Sequence, residues 1–483
     1  MADDSNPDSE TTDHRSWWTG PGGGKEVLTV ALPLVVSSLS WTVMTFVDRI
    51  FLQWDSGEAM SAAFSGGTVW FAACCLPLGI CTYANTFVSQ YHGAGRSAAI
   101  GPAVWQGVWV AVLATPVLLA LAPAAPLLFE FAQHGAEVTR QEIVYFRILC
   151  WGSPPLLAAT ALASFYSGRG RTSVVMVVDT AAVALNLVLD YLLIFGFSGA
   201  AFGLGGVSVP ALGIAGAAWA TVIALWFKAA VYAVLVLQPE HRRDYGTLSG
   251  LRFDRPLLGR LLYFGGPSGL QMLLDVTGFT VFILLVGRLG AIEIEATTMA
   301  FSISSLAFMP VWGVGLAVSI LVGQHLGEDR DADAARSGWT GLAIGCGYMA
   351  VISLLYVATP DLFLGGFLPA IGERTAHEAA VYALAVKLLL FVAAYNLGDA
   401  MAMVSAGVLK GAGDTQYILA ISIGMASTLG GLSWLAIEQW RLGIIGCWAL
   451  ITVWLWGLAA MLFGRFLIGR WRFMRVIEPI GDA

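Results

Sequence analysis

Apolar windows of about 20 residues recur from near residue 26 to near residue 470, and each is long enough to cross a bilayer as a helix. The pattern predicts an all-α integral membrane protein with about twelve transmembrane helices, the first over 26–53 and the last over 442–468. Polar stretches divide the chain. They predict a disordered cytoplasmic tail over 1–25, a six-span N-lobe over 26–237, a cytoplasmic linker over 238–257, a six-span C-lobe over 258–470, and a cytoplasmic tail over 471–483.

The opening stretch of the first lobe occurs twice. It carries Pro33 and closes on Ser89-Gln90-Tyr91-His92-Gly93, and a second copy carries Pro267 and closes on Gly323-Gln324-His325-Leu326-Gly327. Pro33 to Pro267, Ala62 to Ala296, Gln90 to Gln324 and Gly93 to Gly327 are each 234 positions apart. Gly411-Ala412-Gly413-Asp414-Thr415 echoes Gly168 to Thr172 at an offset of 243, so loop lengths drift while the landmarks keep their order. Six spans separate the copies, so both start from the same side and the repeats are parallel. Such internal repeats are typical of transporters.

Polar positions inside the apolar windows are the candidate chemistry. Asp48, Asp190, Asp275 and Asp399 lie well within predicted spans, where an ionised side chain costs roughly 2.5–3.5 kcal/mol on insertion scales. Asp179, Asn186 and Asp190 follow i, i+7, i+11 spacing and share one helix face. Asp48 with Asp190 and Asn186 is expected to form one cation site, and Asp275 with Asp399 another. Two carboxyl groups held close together away from water favour retention of a proton. Asp179 sits nearer the end of its span, and its position suits a cation site and a helix interface equally. Arg49, Lys228 and Lys387 are the intramembrane cations available as partners.

Composition narrows the class. Only 12% of residues are charged, against roughly 25% in soluble domains. The 56 glycines suit close helix–helix approach in a membrane. The net charge of −7 is modest and says nothing about nucleic acid, and no nucleic-acid partner is expected. The six cysteines fall inside spans without metal-ligand spacing and are read as small apolar side chains. The six histidines are placed in tails and loops. Residues 1–24 lack the basic and short apolar regions of a cleavable signal. Most Lys and Arg fall on one side, including Arg242, Arg243, Arg252 and Arg260, with Arg140, Arg288, Arg374 and Arg441 opposite. That bias puts both termini in the cytoplasm. No zinc-protease, phosphate-loop or nucleophile-elbow motif is present, so an enzyme is not expected.

Leu32-Pro33, then Phe46-Val47-Asp48, then Ser89-Gln90-Tyr91-His92-Gly93-Ala94-Gly95 resemble the first two helices of multidrug and toxic compound extrusion (MATE) transporters. Asn186-Leu187-Val188-Leu189-Asp190-Tyr191 resembles that family's fifth helix. Tyr395-Asn396-Leu397-Gly398-Asp399 with Gly407-Val408-Leu409-Lys410-Gly411 resembles its tenth. The resemblance implies two pseudo-symmetric six-helix bundles around a central cavity, the MATE fold. It implies cation coupling at Asp48, Asn186 and Asp190, and at Asp275 and Asp399 in the other lobe. The family often has Glu where Asp275 stands. Met44, Gln271 and Tyr395 are expected to line the substrate cavity.

The expected function is secondary efflux of organic cations or amphipathic toxins across the cytoplasmic (inner) membrane. The driving ion is H+ or Na+, with Na+ accommodated at Asp48, Asp190, Asp275 or Asp399, and with no other cofactor. Small-molecule substrates and membrane lipid are the expected partners of a monomer. A lipid-linked oligosaccharide flippase is the alternative, which calls for a basic cavity where the intramembrane charges here are mainly acidic. A channel or purely structural membrane protein is disfavoured by the duplicated acid-bearing spans.

Overall fold

The computed structural model describes residues 17–130, 134–198, 208–367 and 374–478. The chain runs as α1 Gly24–Asp55, α2 Gly57–Gly93, α3 Ile100–Glu130, α4 Ala136–Cys150, α5 Ser153–Ser167, α6 Thr172–Phe195 and α7 Ile214–Val236 in the first lobe. A short α8, Pro239–Asp244, lies in the connection. The second lobe holds α9 Arg255–Val286, α10 Ala291–Gly327, α11 Asp331–Ala358, α12 Pro360–Leu364, α13 Ala376–Ala412, α14 Thr415–Trp434 and α15 Gly443–Ile468.

Eleven helices among the described residues are long and apolar enough to cross a membrane. The twelfth crossing is the pair α4 and α5, bent by 43° at a short break. Trp151 and Gly152 form that break, and proline in the first turn of α5 starts the next helix, where a missing N–H costs nothing. Other ends are capped as the sequence dictates. Ser56 accepts the Ala59 amide at 3.0 Å, and Asp254 accepts the Leu257 amide at 3.0 Å. α1 remains helical through Pro33. Apart from helices, Phe197–Ser198 pairs antiparallel with Ser208–Val209, a two-residue ladder.

The interface between lobes repeats itself with the sequence offset. A Cβ on Gly79 of α2 would collide with the backbone of Gly269 in α9, and a Cβ on Gly313 of α10 would collide with Val35 in α1. These four residues are related by the same 234-position shift. So are the next contacts down: a Cβ on Gly93 would fall on the Gln324 carbonyl, and one on Gly327 on the Gln90 carbonyl. Small residues let the paired helices touch backbone to backbone.

Hydrogen bonds across the lobes gather at the face where the described residues begin and end, called here the terminal face. The Tyr83 hydroxyl donates to the Lys410 carbonyl at 3.0 Å, and Gln90 Nε2 donates to the Gly411 carbonyl at 2.9 Å. Gln324 Nε2 donates to the Gly168 carbonyl at 2.8 Å. One apolar core joins the N-lobe to the terminal half of the C-lobe, whereas a second core fills only the distal half of the C-lobe. The lobes therefore meet at the terminal face and part toward the distal one.

Residues 17–25 and 471–478, next to the two ends, are packed against the lobes. Residues 1–16 and 479–483 lie outside the described residues. Thr340 Oγ1 of α11 donates to the Gly22 carbonyl at 2.8 Å. At the other end Trp471 is fully buried, and Val476 N donates to Gln90 Oε1 at 2.8 Å. The Glu478 carboxylate accepts from the Tyr91 hydroxyl at 2.9 Å and pairs with Arg96 and Arg260. An apolar anchor at Trp471 and these polar ties turn the expected tail into a strap across both lobes.

Candidate functional site

α1 and α6 pack along one another in the N-lobe, and their polar faces meet in its distal half. Asp48 is 8% exposed, and Asn186 and Asp190 are 0% exposed. With its amide nitrogen turned to the acids, Asn186 donates to Asp48 Oδ1 at 3.2 Å and to Asp190 Oδ2 at 3.0 Å. The two carboxyl groups are also within hydrogen-bonding reach of each other. Asp190 Oδ1 is buried with no partner among the described residues. The arrangement is a dry pocket of two acids bridged by one amide, with acceptor capacity to spare. Arg49, next to Asp48, turns away to the Phe64 ring at 5.1 Å.

The C-lobe acids are arranged otherwise. Asp275 of α9 is exposed where the lobes part, beyond the Gly79–Gly269 crossing, and accepts from Gln271 Nε2 at 3.3 Å. Asp399 of α13 is half-buried and lies within electrostatic reach of Tyr395. The expected Asp275–Asp399 pair is not seen among the described residues: Asp275 has Lys410, not Asp399, within electrostatic reach. The reason is packing. α9 lies against α2 and α14, while α13 lies against α10, α11 and α15.

Of the expected cavity residues, Gln271 reaches Asp275. Met44 is only 4% exposed, packed inside the N-lobe. Tyr395 is 3% exposed and its hydroxyl lies 3.1 Å from Ser304 Oγ, so it fastens α13 to α10 instead of facing the opening.

A family model described as MatE matches residues 33–192 and 267–430, one match in each lobe. The chain belongs to the MatE family. As this is a family of transporters, the protein is a multi-pass membrane transporter and not an enzyme. It is similar to the "Multidrug resistance protein PmpM" of Pseudomonas aeruginosa, 28% identical over 467 residues that cover 94% of each chain. In fold it is similar to a MATE transporter of the MOP superfamily solved in an outward-facing conformation. There the TM-score is 0.82 at 17% identity, covering 93% of this chain and 97% of that one. The eukaryotic MATE transporter AtDTX14 matches with a TM-score of 0.79 at 17% identity, covering 93% of this chain and 96% of that one. The comparisons give the flippase alternative no support.

Within this MatE chain Asp179 belongs to a helix interface. Its carboxylate pairs with Lys228 at 2.8 Å and accepts from Ser37 at 2.6 Å and Tyr232 at 2.9 Å, tying α6 to α1 and α7. Lys387 is exposed. The six cysteines are free thiols. No group of three His, Cys, Asp or Glu side chains among the described residues is placed to hold a metal ion.

The histidine assignment needs correction. His325 is 3% exposed inside the last turn of α10, between Glu26 at 3.7 Å and Glu328 at 3.8 Å. His134 lies against the buried Glu142 at 2.9 Å. Glu142 and Tyr145 on α4 are functional candidates that the sequence pattern did not single out. The signal for Glu142 was available: an acid one turn before an apolar run, facing the same side as Tyr145 by i, i+3 spacing. Lys410 lies within α13, two residues before its end.

Proposed function

We propose that this transporter is a secondary multidrug exporter, antiporting organic cations or amphipathic toxins against H+ or Na+ by alternating access. The observation that carries the reading is the buried Asp48–Asn186–Asp190 cluster in one lobe of a duplicated membrane bundle. Two carboxylates at contact repel strongly in a dry pocket, and a bound cation removes that repulsion. The cation then favours whichever lobe arrangement seats it best, by differential binding to the two states. The membrane potential contributes about 2.3 kcal/mol per charge per 100 mV.

The 94%-covering likeness to a protein named for multidrug resistance supports the substrate class. The acidic Asp275 at the opening between the lobes suits a cationic substrate. The bias of basic residues toward the terminal face supports cytoplasmic termini in an inner membrane. With the terminal face sealed, the conformation described here is then the outward-facing one.

The experiment is dye efflux in inside-out vesicles, driven by a pH gradient alone and by a sodium gradient alone. Asp48→Asn and Asp190→Asn are each expected to abolish coupled efflux. Wild-type rates in both variants would rule out this site as the coupling centre.

A further inference from the structure

One fully buried carboxylate of the N-lobe has no part in the proposed cation cluster. Glu142, in the second turn of α4, is 0% exposed. The Ser65 hydroxyl of α2 donates to its Oε1, and His134 Nδ1 lies 2.9 Å from the same oxygen. Its Oε2 is buried with no partner among the described residues. The His134 side chain is 44% exposed at the distal end of the lobe. A buried acid is costly unless it is paired or has a task, and this acid's one ionisable contact reaches distal water.

The geometry also leads inward. Tyr145, one turn further along the same face of α4, is buried and lies within electrostatic reach of Asp48, Asp190 and Arg49. Gly66 of α2 sits against both positions, since a Cβ there would meet Tyr145 at 3.3 Å and the Glu142 backbone at 3.5 Å. Ser65 lies eight residues into α2, and Asp48 seven residues before the end of α1. At 1.5 Å per residue both are roughly 10–12 Å below the α1–α2 turn, so Glu142 and the acid pair share one depth.

Other charges around Glu142 are accounted for. Arg140 on its own helix is exposed and pairs with Glu137 at 2.7 Å. Arg147 donates to the Ala122 carbonyl at 3.1 Å. From α1, Arg49 faces Phe64, and Asp55 lines a separate distal pocket with Arg140 and Gln141. α2 carries Glu58, exposed in its first turn. The packed helix α3 carries only Glu130, exposed at its end, and α7 only Lys228, held by Asp179.

We propose that Glu142, with His134 at its mouth, is the distal proton port of the Asp48–Asp190 cluster. The proposal rests on the antiport reading and commits it to the proton. His134 takes a proton from distal water on one ring nitrogen and gives the Nδ1 proton to Glu142 Oε1, which leaves the ring neutral. From Glu142 the proton passes inward along the α4 face that carries Tyr145 to the Asp48–Asp190 pair. Only N–H and O–H bonds form and break; Glu142 returns to the carboxylate, and His134, left as its other tautomer, regains the Nδ1–H form by proton exchange with distal water.

The test is efflux by the full-length chain in inside-out vesicles, with lumenal (distal) pH varied and rates normalised to folded protein. Glu142→Gln is expected to slow proton-driven efflux about tenfold and to flatten its dependence on distal pH, with the substrate KM unchanged. Glu142→Asp restores the pH dependence, and His134→Gln flattens it with a smaller loss of rate. A Glu142→Gln protein that merely melts earlier, with an unmoved pH profile per folded molecule, overturns the port. So does wild-type efflux driven by sodium alone and indifferent to distal pH. If Asp190→Asn abolishes efflux while Glu142→Gln does not change it, the port fails and the coupling cluster stands. If Asp48→Asn and Asp190→Asn both run at wild-type rate, the antiport reading fails with it.

Discussion

Gln90 reaches across the lobe boundary to donate a 2.9 Å hydrogen bond to the Gly411 carbonyl. Its repeat partner does the same in reverse, Gln324 donating to the Gly168 carbonyl at 2.8 Å. Gly168 and Gly411 end the helices α5 and α13, which occupy equivalent places in the two lobes. The repeated motif therefore builds a self-complementary clasp, with each lobe holding the other by the same pair of groups.

Loss of the clasp should loosen the terminal face. A buried neutral hydrogen bond contributes about 1 kcal/mol net, which corresponds to roughly a fivefold shift in an open–closed equilibrium. Gln90→Ala combined with Gln324→Ala is expected to raise terminal-face maleimide labelling of a cysteine introduced as Ser89→Cys. Ser89 is fully buried in the sealed state. Labelling no faster than in the Ser89→Cys parent would show that the clasp does not hold the seal.

Close backbone approach gives a sharper substitution. Gly93→Ala places a methyl group on the Gln324 carbonyl, and a rigid backbone atom cannot step aside as a flexible side chain can. The variant is expected to fold, to lose the sealed state and to transport poorly. Gly259→Ala on α9 meets nothing within 4 Å and is the control. It should match wild type or gain up to about 1 kcal/mol from helix propensity. Equal efflux by the two variants would contradict the role of the crossing.

Asp179→Asn separates stability from transport. The substitution keeps partners for Ser37 and Tyr232 but leaves Lys228 without its 2.8 Å counter-charge. The expected cost is about 2 kcal/mol, at the lower end for a pair that is not fully buried. Thermal melting in detergent should drop while efflux per folded molecule stays near wild type. Adding Lys228→Met should restore part of the melting temperature. Loss of ion coupling in Asp179→Asn would instead place this residue in the transport cycle.

The strap at Glu478 is more exposed and weaker. Its carboxylate is 30% exposed, beside Arg96 and Arg260, so its pairs contribute about 1 kcal/mol and are screened by salt. Glu478→Gln is expected to increase opening of the terminal face in low salt and to match wild type near 1 M salt. The same Ser89→Cys labelling assay measures both. A salt-independent difference would point to the Tyr91 hydrogen bond as the tie that matters.

Much of this molecule was legible in its sequence, and particular residues show where legibility stopped. The 234-position repeat named the Gly93–Gly327 and Gln90–Gln324 correspondences that the lobe interface uses. Asp48, Asn186 and Asp190 are readable as a cluster because a helix period fixes two of them on one face and Asp48 is the other acid buried in a span of the same lobe. Asp275 and Asp399 are grouped in the sequence only as the two acids well within spans of one lobe, and they stand apart because α9 leans on α14 and α2 instead of α13. Glu142 was hidden by its position near a polar loop, where acids are ordinarily solvated.

The sequence by itself determined the twelve crossings, the duplication and which polar residues share a face of their own helix. Those follow from apolar length and from a period of 3.6 residues, both local properties. Only the tertiary structure decided which faces meet. That put Asp179 on Lys228, Asp48 on Asp190, Glu142 under His134 and Lys410 near Asp275. The physical reason is that helix pairing in a membrane is set by close packing at small residues such as Gly79, Gly269 and Gly313. Such packing joins positions far apart in the chain, and no single helix carries a record of its neighbours.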